Sequence, residues 1–280
     1  MKRTAVITDI QRSSVHDGPG FRTTVFFKGC QMHCAWCHNP ETISPEPQTL
    51  FYPEKCIGCG RCEEGCFSGA RVLCGREMSV EDVFAQIEQD RPYYGDEGGV
   101  TLSGGEPLCQ AQFALELIER CRSAGVGCAM ESNLSVGWEV ARPVVERLSL
   151  LMADLKLWDE AAHRQYTGLD NRLVRENLLR AQATGVPLVL RTPVVPGVNA
   201  TGEEIGQIAA FARGLSNLRY YELLSYHPLG LDKARALGCE IREFDKPTRE
   251  MMLSLAETAR AQGVAVAING VRLETFRKEG

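Results

Sequence analysis

The sequence predicts an α/β fold built on parallel strands. From residue 95 onward, short β-rich runs alternate with amphipathic stretches at the spacing of βα units. Polar residues recur at the C-terminal ends of several of those apolar runs, and one cysteine-dense segment, Pro45–Gly75, interrupts the pattern. Such alternation implies right-handed crossovers between parallel strands. A closed or partial β/α barrel and a doubly wound sheet both satisfy it.

Taken in order, Thr23–Lys28 (TTVFFK) reads as the first strand. The cysteine-dense segment follows, poor in periodic apolar residues, and reads as a module inserted after that strand. The predicted division is a barrel formed by 1–47 and 76–280 with an insert at 48–75. Ser79–Gln89 is a helix with Ser79 as N-cap and acids in its first turn. The remaining strands are Gly99–Leu102, Val126–Glu131, Ser149–Lys156, Pro187–Thr192, Arg219–Ser225 and Val264–Ile268. Between them lie helices at Ala111–Ala124, Glu139–Arg147, Asn171–Thr184, Thr201–Arg213 and Pro247–Gln262. Phe113, Leu117, Ile118 and Cys121 share one helical face. Pro247 occupies the expected first helical position and Gly263 the stop.

Composition narrows the function classes. The 280 residues carry 31 Lys+Arg against 36 Asp+Glu, a net charge of −5, with 44% hydrophobic residues. That is an ordinary globular balance, and without a basic block it argues against binding driven by nucleic-acid phosphates. Apolar runs such as Val264–Ile268 are far shorter than the roughly 18 residues of a membrane span. The first residues show no signal-peptide core, so a cytoplasmic protein is expected. Of 12 cysteines, eight crowd between Cys30 and Cys74. Thiols kept reduced and clustered in this way point to metal binding.

Cys30-x3-Cys34-x2-Cys37 directly follows the first strand. Three thiolates in one tight loop suit an iron–sulfur cluster with one metal corner left open, while a Cys3His zinc site using His33 or His38 fits the spacing as well. Cys56-x2-Cys59-x2-Cys62-x3-Cys66 is the bacterial ferredoxin run, with Phe67 where proline is usual. With only one run, the fourth ligand is either Cys66 or Cys74. Cys109, Cys121, Cys128 and Cys239 read as buried hydrophobes. Ser103-Gly104-Gly105-Glu106-Pro107 closes a strand with glycines that permit close backbone approach, but lacks the Lys of a phosphate loop. Glu131-Ser132, Asp154, Lys156, Arg191 and His227 stand at successive strand ends, where a β/α barrel places its active site.

Cys30-Gln-Met-His-Cys34-Ala-Trp36-Cys37, with an aromatic residue before the third cysteine, resembles the signature of the radical S-adenosylmethionine (SAM) superfamily. Val15-His-Asp-Gly-Pro-Gly-Phe-Arg-Thr-Thr-Val25 and Cys37-His38-Asn39-Pro40 are similar to segments of the glycyl-radical-enzyme activating enzymes, relatives of the pyruvate formate-lyase activator. The resemblance implies a partial (β/α)6 barrel with a small ferredoxin-like iron–sulfur insert. It implies a [4Fe–4S] cluster on Cys30, Cys34 and Cys37 that binds SAM, and an auxiliary [4Fe–4S] cluster on the insert. One electron would then cleave SAM to a 5′-deoxyadenosyl radical, which takes hydrogen from a glycine of a partner glycyl radical enzyme. Gly104, Gly105 and Glu106 are implied at the methionine amino group, and Lys156, Arg191 and His227 at the carboxylate, methionyl and ribose portions. Trp36 is implied at the adenine and His38 beside the cofactor. Glu131, Ser132, Asp154 and the Met152 carbonyl are implied at a monovalent cation, with Glu131-Ser132 replacing the Asp-Thr of the pyruvate formate-lyase activator. Flavodoxin or ferredoxin is the expected reductant, and neither nucleic acid nor membrane is an expected partner. The rival readings are a radical SAM enzyme acting on a small molecule, a ferredoxin-like electron carrier and a zinc-structured binding module.

Overall fold

The computed structural model describes residues 3–62, 65–239 and 242–273. The outermost parts of the expected barrel segments, and residues 63 and 64 of the insert, lie outside the described residues.

Two antiparallel strands open the chain, β1 (Thr4–Ser14) and β2 (Arg22–Phe27). The insert begins and ends on a short hairpin, β3 (Gln48–Phe51) with β4 (Arg71–Cys74). The chain then returns along β1 as β5 (Arg76–Ser79) and enters α1 (Val80–Glu88). The repeating units follow: β6 (Gly99–Gly104), α2 (Ala111–Ser123), β7 (Cys128–Ser132), α3 (Trp138–Val145) and β8 (Leu150–Asp154). Two helices, α4 (Glu160–Thr167) and α5 (Arg172–Ala181), lead to β9 (Leu188–Val194), α6 (Gly202–Arg213) and β10 (Leu218–Ser225). The chain closes with α7 (Gly230–Ala236), α8 (Arg249–Ala261), β11 (Val266–Ile268) and β12 (Val271–Arg272).

Among the described residues the main sheet has ten strands in the order β12-β11-β10-β9-β8-β7-β6-β2-β1-β5. From β2 through β6, β7, β8, β9 and β10 to β11 every pairing is parallel. The expected (β/α)6 unit is therefore present, with short β11 added beyond it and antiparallel strands at both edges. The sheet is open, since its outermost strands, β5 and β12, do not pair with each other. The doubly wound alternative falls with this strand order, which runs in one direction from β6 to β11 without reversing.

Why these residues form these elements is visible in their burial. The β6 residues Val100, Leu102 and Thr101 are all fully enclosed, as a parallel strand covered on both faces requires. Helix α2 turns Phe113, Leu117, Ile118 and Cys121 onto the strands, and Phe113 meets Phe27 edge-on at 6.0 Å. Ser79 caps α1 in a reciprocal box with Asp82. One boundary differs from expectation: α8 begins at Arg249 and not at Pro247, because the Thr248 hydroxyl accepts the Met251 N–H and makes Thr248 the N-cap. Cys121 and Cys128 are buried as expected, but Cys109 and Cys239 are exposed. Both sit at a helix end, Cys109 in the 3-10 turn Pro107–Gln110 just before α2 and Cys239 just after α7.

Candidate active site

Parallel strands bring their C-terminal ends to one rim, and the Cys30 loop leaves β2 at that rim. Its backbone is fixed on two sides. Gly29 N and Cys30 N donate to Thr42 O and Ile43 O at 2.7 and 2.9 Å. His33 N and Ala35 N donate to Thr167 O and Tyr166 O, both at 2.8 Å, at the end of α4. A tight turn then returns Cys37 N to Cys34 O at 3.0 Å.

A cavity of about 230 Å³ lies between this loop and the strand ends. Cys30, Cys34, Trp36, Cys37 and His38 line one side, and Ser103, Gly104, Gly105, Glu131, Ser132, Asp154 and Lys156 the other. Sequence-predicted residues from the loop and from three strand regions thus share one space. Burial pushes all three thiols up, Cys37 to about 12. Enclosed thiols of this kind become ligands only when a metal stabilises the thiolate. Among the described residues, the one side-chain hydrogen bond to them is long, from Asn133 Nδ2 to Cys30 Sγ at 3.6 Å. The donor set, three soft sulfurs facing a cavity, fits an iron–sulfur cluster.

The glycines of Ser103-Gly104-Gly105 are required first by the chain itself. A Cβ on Gly104 would lie 2.4 Å from Phe27 N, and one on Gly105 2.4 Å from Gly29 O. Gly105 N donates to Phe27 O and Glu106 N to Gly29 O, stitching this segment to the root of the cysteine loop. Glu106 does not line the cavity; it is completely buried behind it. Its carboxyl accepts from Leu108 N at 3.0 Å, Ser132 Oγ at 2.8 Å and Asn133 N at 2.7 Å. Burial pushes Glu106 up to about 7 against these donors. It therefore braces two cavity walls.

The carboxylates expected at a cation are each paired with a basic side chain. Asp154 accepts from Lys156 Nζ at 2.6 Å. Glu131 accepts from Arg191 through one oxygen and from Ser103 Oγ, at 2.6 Å, through the other. Burial alone would lower the Lys156 ammonium, but Asp154 and Cys34 hold it above its ordinary value.

Arg191 and His227 line a second cavity, of about 780 Å³, with His16, Gly18, Pro19, Glu222, Lys246 and the turn Asn269–Gly270. It spans the unpaired side of the sheet, between the loop before β2 and the strands β10 to β12. Two contacts connect the cavities: Arg191 to Glu131, and the rings of His38 and His227, edge-on at 4.3 Å. The His227 Nδ1 atom is buried without a partner among the described residues. Trp36 is 7% exposed and packs against Tyr166 and Phe244, so it serves the core and the cavity wall together.

In the insert, Cys56, Cys59 and Cys62 are exposed. The Cys66 thiol is held at about 7 by its hydrogen bond with Ser68 and by the backbone near Arg71. Cys74 differs: it lies on β4, packs with Leu50 and Ala236, and donates to Glu41 O at 3.8 Å. Asn133 and Glu222 were not singled out by sequence. Asn133 alone carried a readable signal, since it follows Glu131-Ser132 on the same rim.

The fold and this rim define the class, and residues 24–212 match the Radical SAM superfamily. The chain is 34% identical to the indoleacetate decarboxylase activating enzyme of Tractidigestivibacter scatoligenes, covering 96% of this chain and 98% of the relative. It is 35% identical to the pyruvate formate-lyase 2-activating enzyme of Escherichia coli, covering 95% and 93%. A solved domain of a pyruvate-formate lyase-activating enzyme from Bacteroides vulgatus superposes with a TM-score of 0.53 at 28% identity, over 62% of this chain and 99% of that one. A radical SAM methyltransferase from Sphaerobacter thermophilus, at 16% identity and TM-score 0.59 over 95% of this chain and 75% of that one, shares the fold. The chain belongs to the radical SAM superfamily, among its glycyl-radical-enzyme activating enzymes. No helix among the described residues is long and apolar enough to cross a membrane.

Proposed function

We propose that Cys30, Cys34 and Cys37 hold a [4Fe–4S] cluster, that SAM fills the cavity beside it, and that the substrate is a glycine-bearing loop of a partner glycyl radical enzyme. Held by Cys30, Cys34 and Cys37, the cluster would supply one-electron reduction of the SAM sulfonium, the radical chemistry that removal of hydrogen from a glycine α-carbon requires. The observation that carries this reading is the shared cavity: three half-buried cysteines face Lys156 and the Ser103–Gly105 wall across about 230 Å³.

The chain's own residues bind, orient and exclude water. Lys156 offers a buried ammonium to a carboxylate, exchanging Asp154 for it in part. Arg191 and His227 reach SAM from the second cavity, and the unpartnered His227 Nδ1 suits a ribose hydroxyl. Trp36, braced by Tyr166 and Phe244, presents an aromatic edge for the adenine. Glu131 acts as the counter-ion of Arg191, so no step is assigned to a monovalent cation. The open side of the sheet, with its cavity of about 780 Å³, admits an extended backbone.

On the insert, Cys56, Cys59, Cys62 and Cys66 are the proposed ligands of an auxiliary cluster, and a flavodoxin or ferredoxin its reductant. The lowered Cys66 thiol favours it over Cys74, which is enclosed among apolar side chains. After anaerobic reconstitution, Cys66→Ser should lower iron from about eight to about four per chain, whereas Cys74→Ser should leave it near eight. The central test is Cys34→Ala: it should abolish SAM cleavage and glycyl-radical EPR signal in a partner enzyme, and either surviving in full overturns the proposal.

A further inference from the structure

Glu222 is 2% exposed at the middle of β10, and neither of its oxygens is idle. Oε2 accepts from Arg191 Nε at 2.8 Å and Oε1 from Gly270 N at 2.6 Å. Arg191 and Glu222 are register partners on adjacent strands, so their side chains leave the same face of the sheet. On its other side the guanidinium donates through Nη1 to Glu131. One buried cation is thus clamped between two carboxylates, and both raise its hold on the proton against the opposing effect of burial. The Arg191 Nη2 group makes no hydrogen bond among the described residues, which leaves one edge of the guanidinium available to a ligand.

We infer that Glu222 is a positioning residue for SAM binding, acting through Arg191. It fixes the guanidinium so that the free edge faces SAM, and its second oxygen anchors the Asn269–Gly270 turn that walls the second cavity. The inference rests on the reading of Arg191 as a SAM contact. A glutamine cannot reproduce the clamp, because its single carbonyl oxygen must choose between Arg191 Nε and Gly270 N while its amide turns a donor toward the other.

The experiment compares wild type, Glu222→Gln and Glu222→Asp as full-length, cluster-reconstituted enzyme. SAM affinity by calorimetry should fall about tenfold in Glu222→Gln, with Glu222→Asp between it and wild type. In cluster-free protein, hydrogen exchange at Arg191 Nε followed by NMR should be faster in Glu222→Gln. A role in stability alone would lower the melting temperature of Glu222→Gln while its SAM affinity stayed within twofold of wild type, and that result overturns the inference. Should Glu222→Gln not fold, Glu222→Asp carries the same comparison. Wild-type enzyme that binds SAM without cleaving it would contradict the proposed function and leave the positioning role standing.

Discussion

Glu106 shows how one fully buried side chain can tie together two walls of the cavity. Its carboxyl gathers donors from the segment after β6 and from the segment after β7, the two walls opposite the cysteines. Glu106→Gln keeps size and shape but points an amide N–H at Asn133 N–H, leaving at least one buried donor without an acceptor. That loss costs about 1–3 kcal/mol, so we expect a lower denaturation midpoint in the absence of any cluster or SAM. An unchanged midpoint would mean that the three hydrogen bonds contribute nothing net. The cysteines, Lys156 and Arg191 were legible because each stands at a strand end or in a spaced motif. Glu222 was not, because it lies within an apolar strand and its meaning depends on Arg191 one strand away. Glu106 was legible as part of a motif but not as a brace, since only the fold brings Asn133 and Ser132 to it.

At the scale of elements, the alternation of strands and helices was readable wherever apolar periodicity was strong, as in α2. It failed at α4, whose sequence EAAHRQYT has little apolar content. Yet α4 supplies the carbonyls that hold His33 N and Ala35 N, the backbone on either side of Cys34. β1, β5 and the β3–β4 hairpin were also missed, being antiparallel and outside the βα repeat. The helix ends at Gly168 with φ of +87°, and a Cβ there would meet no atom closer than His33 N at 3.8 Å. Gly168→Ala therefore tests conformation without a clash. It should destabilise the fold by roughly 1 kcal/mol through the left-handed backbone and loosen the anchor of the cysteine loop. Iron bound per chain after reconstitution should fall below the wild-type value. Full iron loading beside a lowered melting temperature would show that the α4 anchor does not govern the loop.

Across the whole molecule, the antiparallel edge must be joined to the helical layer, and Asp90 does this. It is 2% exposed just past α1, accepts from Arg12 on β1, and takes Thr23 Oγ1 of β2 at 2.7 Å. Tyr94 completes the network: its hydroxyl, with a single proton to give, lies 2.7 Å from Thr23 Oγ1 and 3.0 Å from Ile87 O. Hydrogen bonding from Arg12, with a further bond from Thr23, holds the Asp90 carboxyl below its ordinary value against the effect of burial. A carboxyl whose folded pKa is depressed contributes stability above its unfolded pKa, near 3.9 for Asp, and that contribution disappears as pH falls through the folded value. Asp90→Asn removes the charge at every pH. The variant should thus be less stable than wild type at pH 7, by the same margin at pH 6, and the gap should shrink steadily below about pH 4. Urea unfolding of both proteins across that range measures the gap directly. A gap that stays constant into acid would place the stabilisation in packing, because only an ionised Asp90 can account for a difference that protons abolish.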